Sequence, residues 1–325
     1  MTISEIAKMA GVSNAAVSRY LNDGYLSKEK REAIKKVIDA TGYKPSAQAQ
    51  NLRTKRTRII GVIIPKIDSS AIGRVVKGIQ SVLEEKGYQI LLANTQNNTD
   101  KELKFLELFD EGRVDGIIFS ATCITTKHKK ALKACPVPVV IVGQYVPGYN
   151  CVYHDDYSAV KSLTEMMLGQ GRKNIGYIGV LMSDEAAGKN RYEGYCDAVR
   201  AAGYPQLTED YVISDFTIES GFENAKKLLE EKPDIDGIVC ATDNIAVGTI
   251  QYLKKIGKSI PQEVSVMGIG NTKMSKIMEP SFSTVRYFYE ESGIKAAEIL
   301  MEIISSGKTS VGAIKMGYEV IQNET

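Results

Sequence analysis

Motifs that would carry catalysis are incomplete in this chain of 325 residues. A phosphate loop needs a glycine five residues before Gly-Lys-Ser/Thr, so that successive backbone N–H groups can surround the anion. Tyr252 and Glu302 stand at that place before the two candidate runs, 257–259 and 307–309. The run GIGN at 268–271 lacks the third glycine of a dinucleotide fingerprint. We therefore expect neither an enzyme nor a cofactor.

Metal chemistry has only one candidate cluster, His154–Asp155–Asp156. Three consecutive side chains on an extended segment point to alternate faces, so they do not converge on one ion. An ordinary loop is the favoured interpretation, and no metal is expected. The five cysteines form no Cys-x-x-Cys pair, which favours reduced thiols and a cytoplasmic protein. The N-terminus lacks the basic and then apolar order of a secretory signal, and no membrane partner is expected.

Basic residues are concentrated at the N-terminal end. Residues 1–58 hold 12 Lys and Arg against 5 Asp and Glu, whereas the rest of the chain holds 29 against 34. A short basic segment on an acidic body indicates that this end meets a polyanion.

The basic segment has the pattern of three short helices. Thr2 and Glu5 fit a capping box, and Gly11 ends that first helix. Ser13 can cap a second helix and Ser27 a third. Two short helices separated by a glycine turn predict a helix-turn-helix.

The second helix of that motif enters the major groove of DNA with its N-terminal residues at the base edges. The residues expected to read bases are Asn14, Ala15, Ser18 and Arg19. A small helical cap that binds another protein is the alternative.

From residue 58 onward, β-branched runs alternate with helical stretches in two successive sets. Strands are predicted near 59–64, 88–94, 115–120 and 137–143, and again near 174–180, 211–214, 236–241 and 264–270. Continuous apolar strands with intervening helices favour parallel sheets that are covered on both faces. Two sets predict two Rossmann-like lobes, with ligands beyond the carboxyl ends of the strands.

These features resemble the LacI/GalR family of bacterial transcription regulators. The resemblance is carried by AGVSNAAVSRYLN (10–22), YLSKEKREAI (25–34), GYKPSAQAQNL (42–52) and TRIIGVIIP (57–65). It implies an all-α helix-turn-helix domain at 1–45, a hinge helix or linker at 46–57, and a periplasmic-binding-protein-like α/β core at 58–325. Crossovers near Tyr157, Arg286 and Gly317 would place 58–157 and 287–316 in one lobe, and 158–286 and 317–325 in the other.

On the DNA side, the resemblance assigns base reading to Asn14, Ala15 and Arg19. Leu52 matches the leucine that the family wedges into the minor groove. Arg53 and Arg58 bound a basic stretch that would contact phosphates. Residues 46–52 are too short to hold a helix alone and are expected to fold on DNA. Two positions depart from the family, since Ala16 replaces a usual threonine and Gln50 a usual arginine.

The cleft is expected to bind a small sugar, because planar polar groups pair with hydroxyls while an aromatic ring packs on the C–H face. Arg191 lies in an Arg-x-x-Gly-aromatic motif whose arginine contacts effector hydroxyls in the family. Asp243 could instead cap its helix, and Asn271 stands near a usual aspartate. The expected effector-binding residues are Ser70, Ile72, Gln144, Tyr145, Asp156, Arg191, Thr242, Asp243, Asn271 and Tyr289.

The resemblance implies a homodimeric repressor of carbohydrate-utilisation genes, bound to pseudo-palindromic double-stranded operator DNA and controlled by the sugar. The stretches DGYLS and TQNNTDKE have a loose likeness to repressors of sucrose operons. Whether the effector is an inducer or a corepressor stays open. The alternatives are a soluble sugar-binding protein without a regulatory role, and an enzyme that modifies sugars or nucleotides.

Overall fold

The structure is a computed structural model that describes residues 1–43, 56–110, 112–308 and 311–325. The chain divides into two compact units, Met1–Thr57 and Arg58–Thr325. Across the described ranges, no helix is both long and apolar enough to cross a membrane.

In the N-terminal unit, residues 1–43 form α1 (Ile3–Met9), α2 (Asn14–Tyr20) and α3 (Lys28–Thr41). The predicted capping box is confirmed: the Thr2 N–H donates to the Glu5 carboxylate at 2.7 Å, and the Glu5 N–H donates to the Thr2 hydroxyl at 3.3 Å. The Ser13 hydroxyl accepts the Ala16 N–H at 3.3 Å. Ser27 is the N-cap residue of α3 as predicted, but its side chain makes no capping hydrogen bond.

The three helices enclose a small core. Its buried members are Ile6, Ala7, Ala16, Val17 and Ile34. Because alanines occupy both α1 and α2 at the contact, the two helices can approach closely. The Ala16 side chain is therefore a packing group, only 6% exposed.

The larger unit contains two six-stranded sheets. The strands of the first are β1 (Ile59–Ile64), β2 (Gln89–Asn94), β3 (Gly116–Ser120), β4 (Val139–Val142) and β5 (Asn150–His154), joined late in the chain by β11 (Ala313–Met316). The strands of the second are β6 (Ile175–Gly179), β7 (Tyr211–Ile213), β8 (Gly237–Cys240), β9 (Ser265–Ile269), β10 (Thr284–Tyr287) and β12 (Tyr318–Ile321). Their orders are β11-β5-β4-β3-β1-β2 and β12-β10-β9-β8-β6-β7.

Helices cover the faces of both sheets. They are α4 (Ser70–Glu85), α5 (Thr99–Asp110), α6 (Thr126–Ala134), α7 (Asp156–Gly169), α8 (Arg191–Ala201), α9 (Ile218–Glu231), α10 (Asp243–Lys255), α11 (Met274–Ile277) and α12 (Tyr289–Ser306). Strands β3, β6, β8 and β9 are buried along their whole length, as strands covered on both faces must be. Pairing is parallel except between β10 and β12, which run antiparallel at one edge.

The chain passes between the two sheets three times: from β5 into α7, from β10 into α12, and from β11 into β12. Helix α7 buries Leu163 in the core of the second sheet, and α12 buries Leu300 in the core of the first. We call the first sheet with its helices lobe 1 and the second lobe 2. Three short crossings leave the lobes joined at one side, which is the arrangement of a hinge.

Helices α4 and α12 pack at a pair of glycines. A Cβ built on Gly78 would lie 2.0 Å from the Glu290 carbonyl oxygen, and one on Gly293 would lie 2.1 Å from the Val75 carbonyl oxygen. No side chain fits at either position unless the helices separate.

Replacing Gly78 by alanine should therefore lower the free energy of unfolding by about 1–3 kcal/mol, because the added methyl group overpacks the contact. Gly73 in the same helix has open space around its Cβ position, so Gly73→Ala should raise that free energy by about 0.5–1 kcal/mol. Urea unfolding followed by far-UV circular dichroism measures both. Effects of the same sign would contradict the close approach.

Candidate functional site

A cavity of about 310 Å³ is lined by residues of both lobes. It lies beyond the carboxyl ends of the parallel strands, where the α/β architecture places ligands. The lining includes eight of the ten predicted effector-binding residues: Ser70, Ile72, Gln144, Asp156, Arg191, Thr242, Asp243 and Tyr289.

A buried ion pair forms the floor of the cavity. The Arg191 Nε donates to Asp156 Oδ1 at 2.7 Å, and its Nη1 donates to the Ala241 carbonyl at 2.5 Å. The Tyr287 hydroxyl donates to the same carboxylate oxygen at 3.0 Å. Burial acts to lower the pKa of Arg191, but the Asp156 carboxylate raises it well above its ordinary value, so the guanidinium stays charged.

The Arg-x-x-Gly spacing has a physical reason at this floor. A Cβ on Gly194 would lie 2.2 Å from the Tyr157 carbonyl oxygen, so only glycine lets α8 approach α7 this closely. Arg191 begins α8 and Asp156 begins α7. The close crossing therefore brings the guanidinium against the carboxylate. A turn of π-helix, Glu185–Asn190, leads directly into Arg191.

Aromatic rings form one wall. The His154 ring packs 4.8 Å from the Tyr287 ring and 5.1 Å from the Tyr289 ring, measured between centroids. Arg74 of α4 lies 4.8 Å above the Tyr289 ring. Burial lowers the pKa of His154 below its ordinary value, which favours the neutral imidazole. The wall thus offers apolar ring surface beside polar groups.

Among the described residues that line the cavity, two hydrogen bonds cross from lobe 1 to lobe 2. The Gln144 side-chain amide, after β4, donates to Asp184 Oδ1 at 2.8 Å. Arg74 Nη2 donates to the Gly270 carbonyl, after β9, at 2.7 Å. Both contacts lie at the cavity, because Gln144, Asp184, Arg74 and Gly270 all line it. A ligand that changes either contact changes what holds the lobes together.

Asp243 does not cap its helix. Thr242 is the N-cap of α10, and its hydroxyl accepts the Ile245 N–H at 3.3 Å. The Asp243 carboxylate instead accepts the Thr284 hydroxyl and the Thr272 N–H, each at 2.6 Å. Burial raises the pKa of Asp243, and the two hydrogen bonds oppose that shift. Asp243 thus fixes the loop after β9.

Two predicted residues do not line the cavity. Tyr145 is 54% exposed and packs its ring 5.4 Å from the Tyr153 ring. Asn271 is absent from the lining, and its backbone N–H donates to the Thr284 hydroxyl at 3.2 Å. The sequence did not predict several other lining residues, among them Arg74, His154, Asp184 and Thr272. No metal-holding group of His, Cys, Asp or Glu occurs in the parts of the chain that the structure describes.

Asp184 makes the stability of the folded chain depend on pH in the acid range. Burial raises its pKa above the ordinary aspartate value, although bonds from the Ala187 N–H and Gln144 oppose the shift. Between the ordinary and the raised pKa the folded state binds more protons than the unfolded state, so stability falls as pH rises through that window.

Asp184→Asn should therefore reduce this acid-range slope, leaving the part that Asp243 contributes. Urea unfolding across a series of acid pH values measures it. Asp234→Asn, at an exposed position outside the cavity lining, should leave the slope unchanged. An unaltered slope in the Asp184 variant would contradict the burial argument.

On the DNA side, α2 presents Asn14, Ala15 and Arg19 as exposed side chains, and Ser18 is half-buried. Leu52 and Arg53 lie outside the described residues. The Arg58 guanidinium donates to the Lys86 carbonyl at 3.2 Å and lies 5.2 Å above the Tyr88 ring, so the larger unit already engages it. Its role as a phosphate contact stays a prediction.

Two family models match this chain. The model of bacterial regulatory proteins of the lacI family covers residues 2–46, and the model of periplasmic binding proteins and the sugar binding domain of the LacI family covers residues 57–324. The chain belongs to the LacI family.

Curated relatives of this LacI-family protein agree. It is 35% identical over 302 residues to the sucrose operon repressor of Staphylococcus xylosus, covering 93% of each chain. It is 30% identical to catabolite control protein A of Priestia megaterium, covering 98% of this chain and 97% of that protein. This chain is accordingly a DNA-binding transcriptional regulator and not an enzyme.

A solved structure shows the same fold. The lac repressor dimer bound to operator and the anti-inducer ONPF matches with a TM-score of 0.90 and 20% identity, covering 100% of this chain and 98% of that chain. The predicted fold class, a helix-turn-helix domain followed by a two-lobed α/β core, is confirmed.

Proposed function

We propose that this protein is a homodimeric repressor of carbohydrate-utilisation genes, and that a small sugar in the cleft controls its affinity for operator DNA. The observation that carries the proposal is the cavity shared by the two lobes, where a buried ion pair faces aromatic rings. The family model that describes a sugar binding domain, and the relative named as a sucrose operon repressor, support this class of effector.

A sugar suits the chemistry of these groups. Arg191 keeps a second terminal nitrogen beyond the two bonded atoms, and Asp156 keeps a second oxygen, so both can bond hydroxyls. The Gln144 amide adds a further donor and acceptor. Tyr289 supplies ring surface for the C–H face. A few placed polar groups with apolar walls are what a small-molecule site requires.

Control of DNA affinity follows from the lobe-to-lobe contacts. A sugar that occupies the cavity competes with or reinforces the Gln144–Asp184 and Arg74–Gly270 bonds. Its differential affinity for the two degrees of closure then shifts their populations. Coupling of this kind amounts to about 1–3 kcal/mol and is reciprocal between effector and DNA. Both signs, inducer and corepressor, are compatible with this geometry.

On DNA, we assign base reading to Asn14, Ala15, Ser18 and Arg19, in keeping with a recognition helix in the major groove. Leu52 would open the central minor-groove step, and Arg53 and Arg58 would contact phosphates. Two helix-turn-helix domains in a symmetric dimer predict a pseudo-palindromic operator with half-sites about 34 Å apart.

Fluorescence anisotropy with the chain's own upstream promoter fragment tests the proposal, at low and at higher salt. We expect tight binding to that fragment, weaker binding to a scrambled one, and a change of affinity when a sugar from a panel is added. Equal affinity for the promoter fragment and the scrambled fragment would contradict the proposal that the protein is a sequence-specific regulator. If binding to the promoter fragment were specific but no sugar changed it, only the proposal of a sugar effector would be contradicted.

A further inference from the structure

The cavity lies at the beginnings of three longer helices, α4, α7 and α10, and of the π-turn that runs into α8. Free N–H groups and the helix dipole make such positions natural sites for phosphate and other anions. A sugar phosphate would therefore be expected to place its phosphoryl group there.

In this chain each helix beginning is already occupied by its own side chain. The hydroxyls of Ser69 and Thr242 accept N–H groups of α4 and α10 at 3.4 and 3.3 Å. The carboxylates of Asp155 and Asp184 accept the Ser158 and Ala187 N–H groups at 3.3 and 2.9 Å. Two of the four caps thus carry the charge that repels an anion.

The charges around the cavity point the same way. Its lining holds four carboxylates, Asp68, Asp156, Asp184 and Asp243, against the three basic side chains Lys66, Arg74 and Arg191. The Arg191 charge is neutralised by Asp156 at 2.7 Å. One terminal nitrogen of Arg74 already donates a hydrogen bond to the Gly270 carbonyl. With four carboxylates against three cations, the lining carries a formal charge of −1, so it does not compensate a phosphoryl group removed from water, and such compensation is what anion binding requires.

We propose that the site takes a neutral, unphosphorylated sugar and rejects sugar phosphates, a refinement that rests on the proposed function above. The carboxylates act in two ways. They accept hydrogen bonds from sugar hydroxyls, and they oppose a negatively charged ligand of the same shape. Discrimination of this kind arises from repulsion built against the competitor as much as from contacts to the correct ligand.

Isothermal titration calorimetry on the full chain tests the proposal with matched pairs: glucose and glucose 6-phosphate, fructose and fructose 6-phosphate, sucrose and sucrose 6-phosphate. In any pair that binds, the neutral member should bind at least about tenfold more tightly. Its Kd should change little with added NaCl, because no ligand charge is screened. A phosphorylated member that binds equally or more tightly overturns the inference and leaves the proposed sugar effector intact. If no member of any pair binds, the proposed sugar site falls, and this inference falls with it.

A charge variant separates electrostatic rejection from simple lack of space. Asp184→Asn keeps a carbonyl oxygen for the Ala187 N–H and removes one negative charge. It should therefore reduce the ratio of the two Kd values in a pair several-fold. Asp234→Asn removes the same charge outside the cavity lining and should leave the ratio of the two Kd values unchanged. If Asp184→Asn left the ratio of the two Kd values unchanged, the electrostatic explanation would be overturned.

Discussion

Arg191→Ala is expected to lower the free energy of unfolding by about 3–5 kcal/mol, because it leaves the Asp156 carboxylate buried without its cation. The side chains of the pair are only 9% and 4% exposed. The variant also loses a donor to the Ala241 carbonyl, and we expect sugar affinity to fall about tenfold or more. Because the chain has no tryptophan, far-UV circular dichroism during urea unfolding is the suitable readout.

The double variant Arg191→Met with Asp156→Asn is the control for this prediction. Removing both charges together leaves no unpaired ion, so much of the lost stability should return while sugar binding stays lost. Additive losses in the double variant would mean that the two residues do not act as a pair. Unchanged sugar affinity in a folded Arg191→Ala variant would remove Arg191 from the effector site.

Arg19→Ala is expected to cost about 1–3 kcal/mol in binding to the operator and to relax specificity at one base position in each half-site. The reason is that Arg19 is exposed on α2, the second helix of the helix-turn-helix, whose side chains meet base edges. Anisotropy titrations with the promoter fragment, with single-base variants of it and with a scrambled duplex measure the effect.

Lys36→Ala is a matched charge removal on α3, where the side chain is exposed. It should weaken binding to operator and scrambled DNA by a similar, small factor, because a charge away from the base edges acts on the phosphate backbone without regard to sequence. If Arg19→Ala also weakened both duplexes equally, its assignment as a base-reading residue would be wrong.

The sequence was sufficient for the fold class because its signals are local. The capping box at Thr2, the glycine turn at Gly11 and the apolar runs of the strands each reflect physics within a few residues. Strands β5 and β10 were not predicted as separate elements, since each is short and stands at a crossover. The antiparallel direction of the last strand, β12, is likewise not visible in a pattern that reports burial and not direction.

The site was predicted in part for a related reason. Arg191 lay in a recognisable motif, and Gln144 and Thr242 followed predicted strands directly. Arg74 enters from the second turn of α4, and Asp184 from the cap of a π-turn, so their roles depend on distances between lobes that no local pattern contains. Tyr145 and Asn271 follow strands as expected but do not line the cavity, because position after a strand does not by itself fix where a side chain lies.

The most direct test of the account is the reciprocity of sugar and operator binding, measured on one preparation of the full chain. We predict that a saturating sugar changes operator affinity by a given factor, that saturating operator changes sugar affinity by the same factor, and that Arg191→Ala abolishes both changes. A sugar that binds in the cleft while leaving operator affinity unaltered would contradict the account.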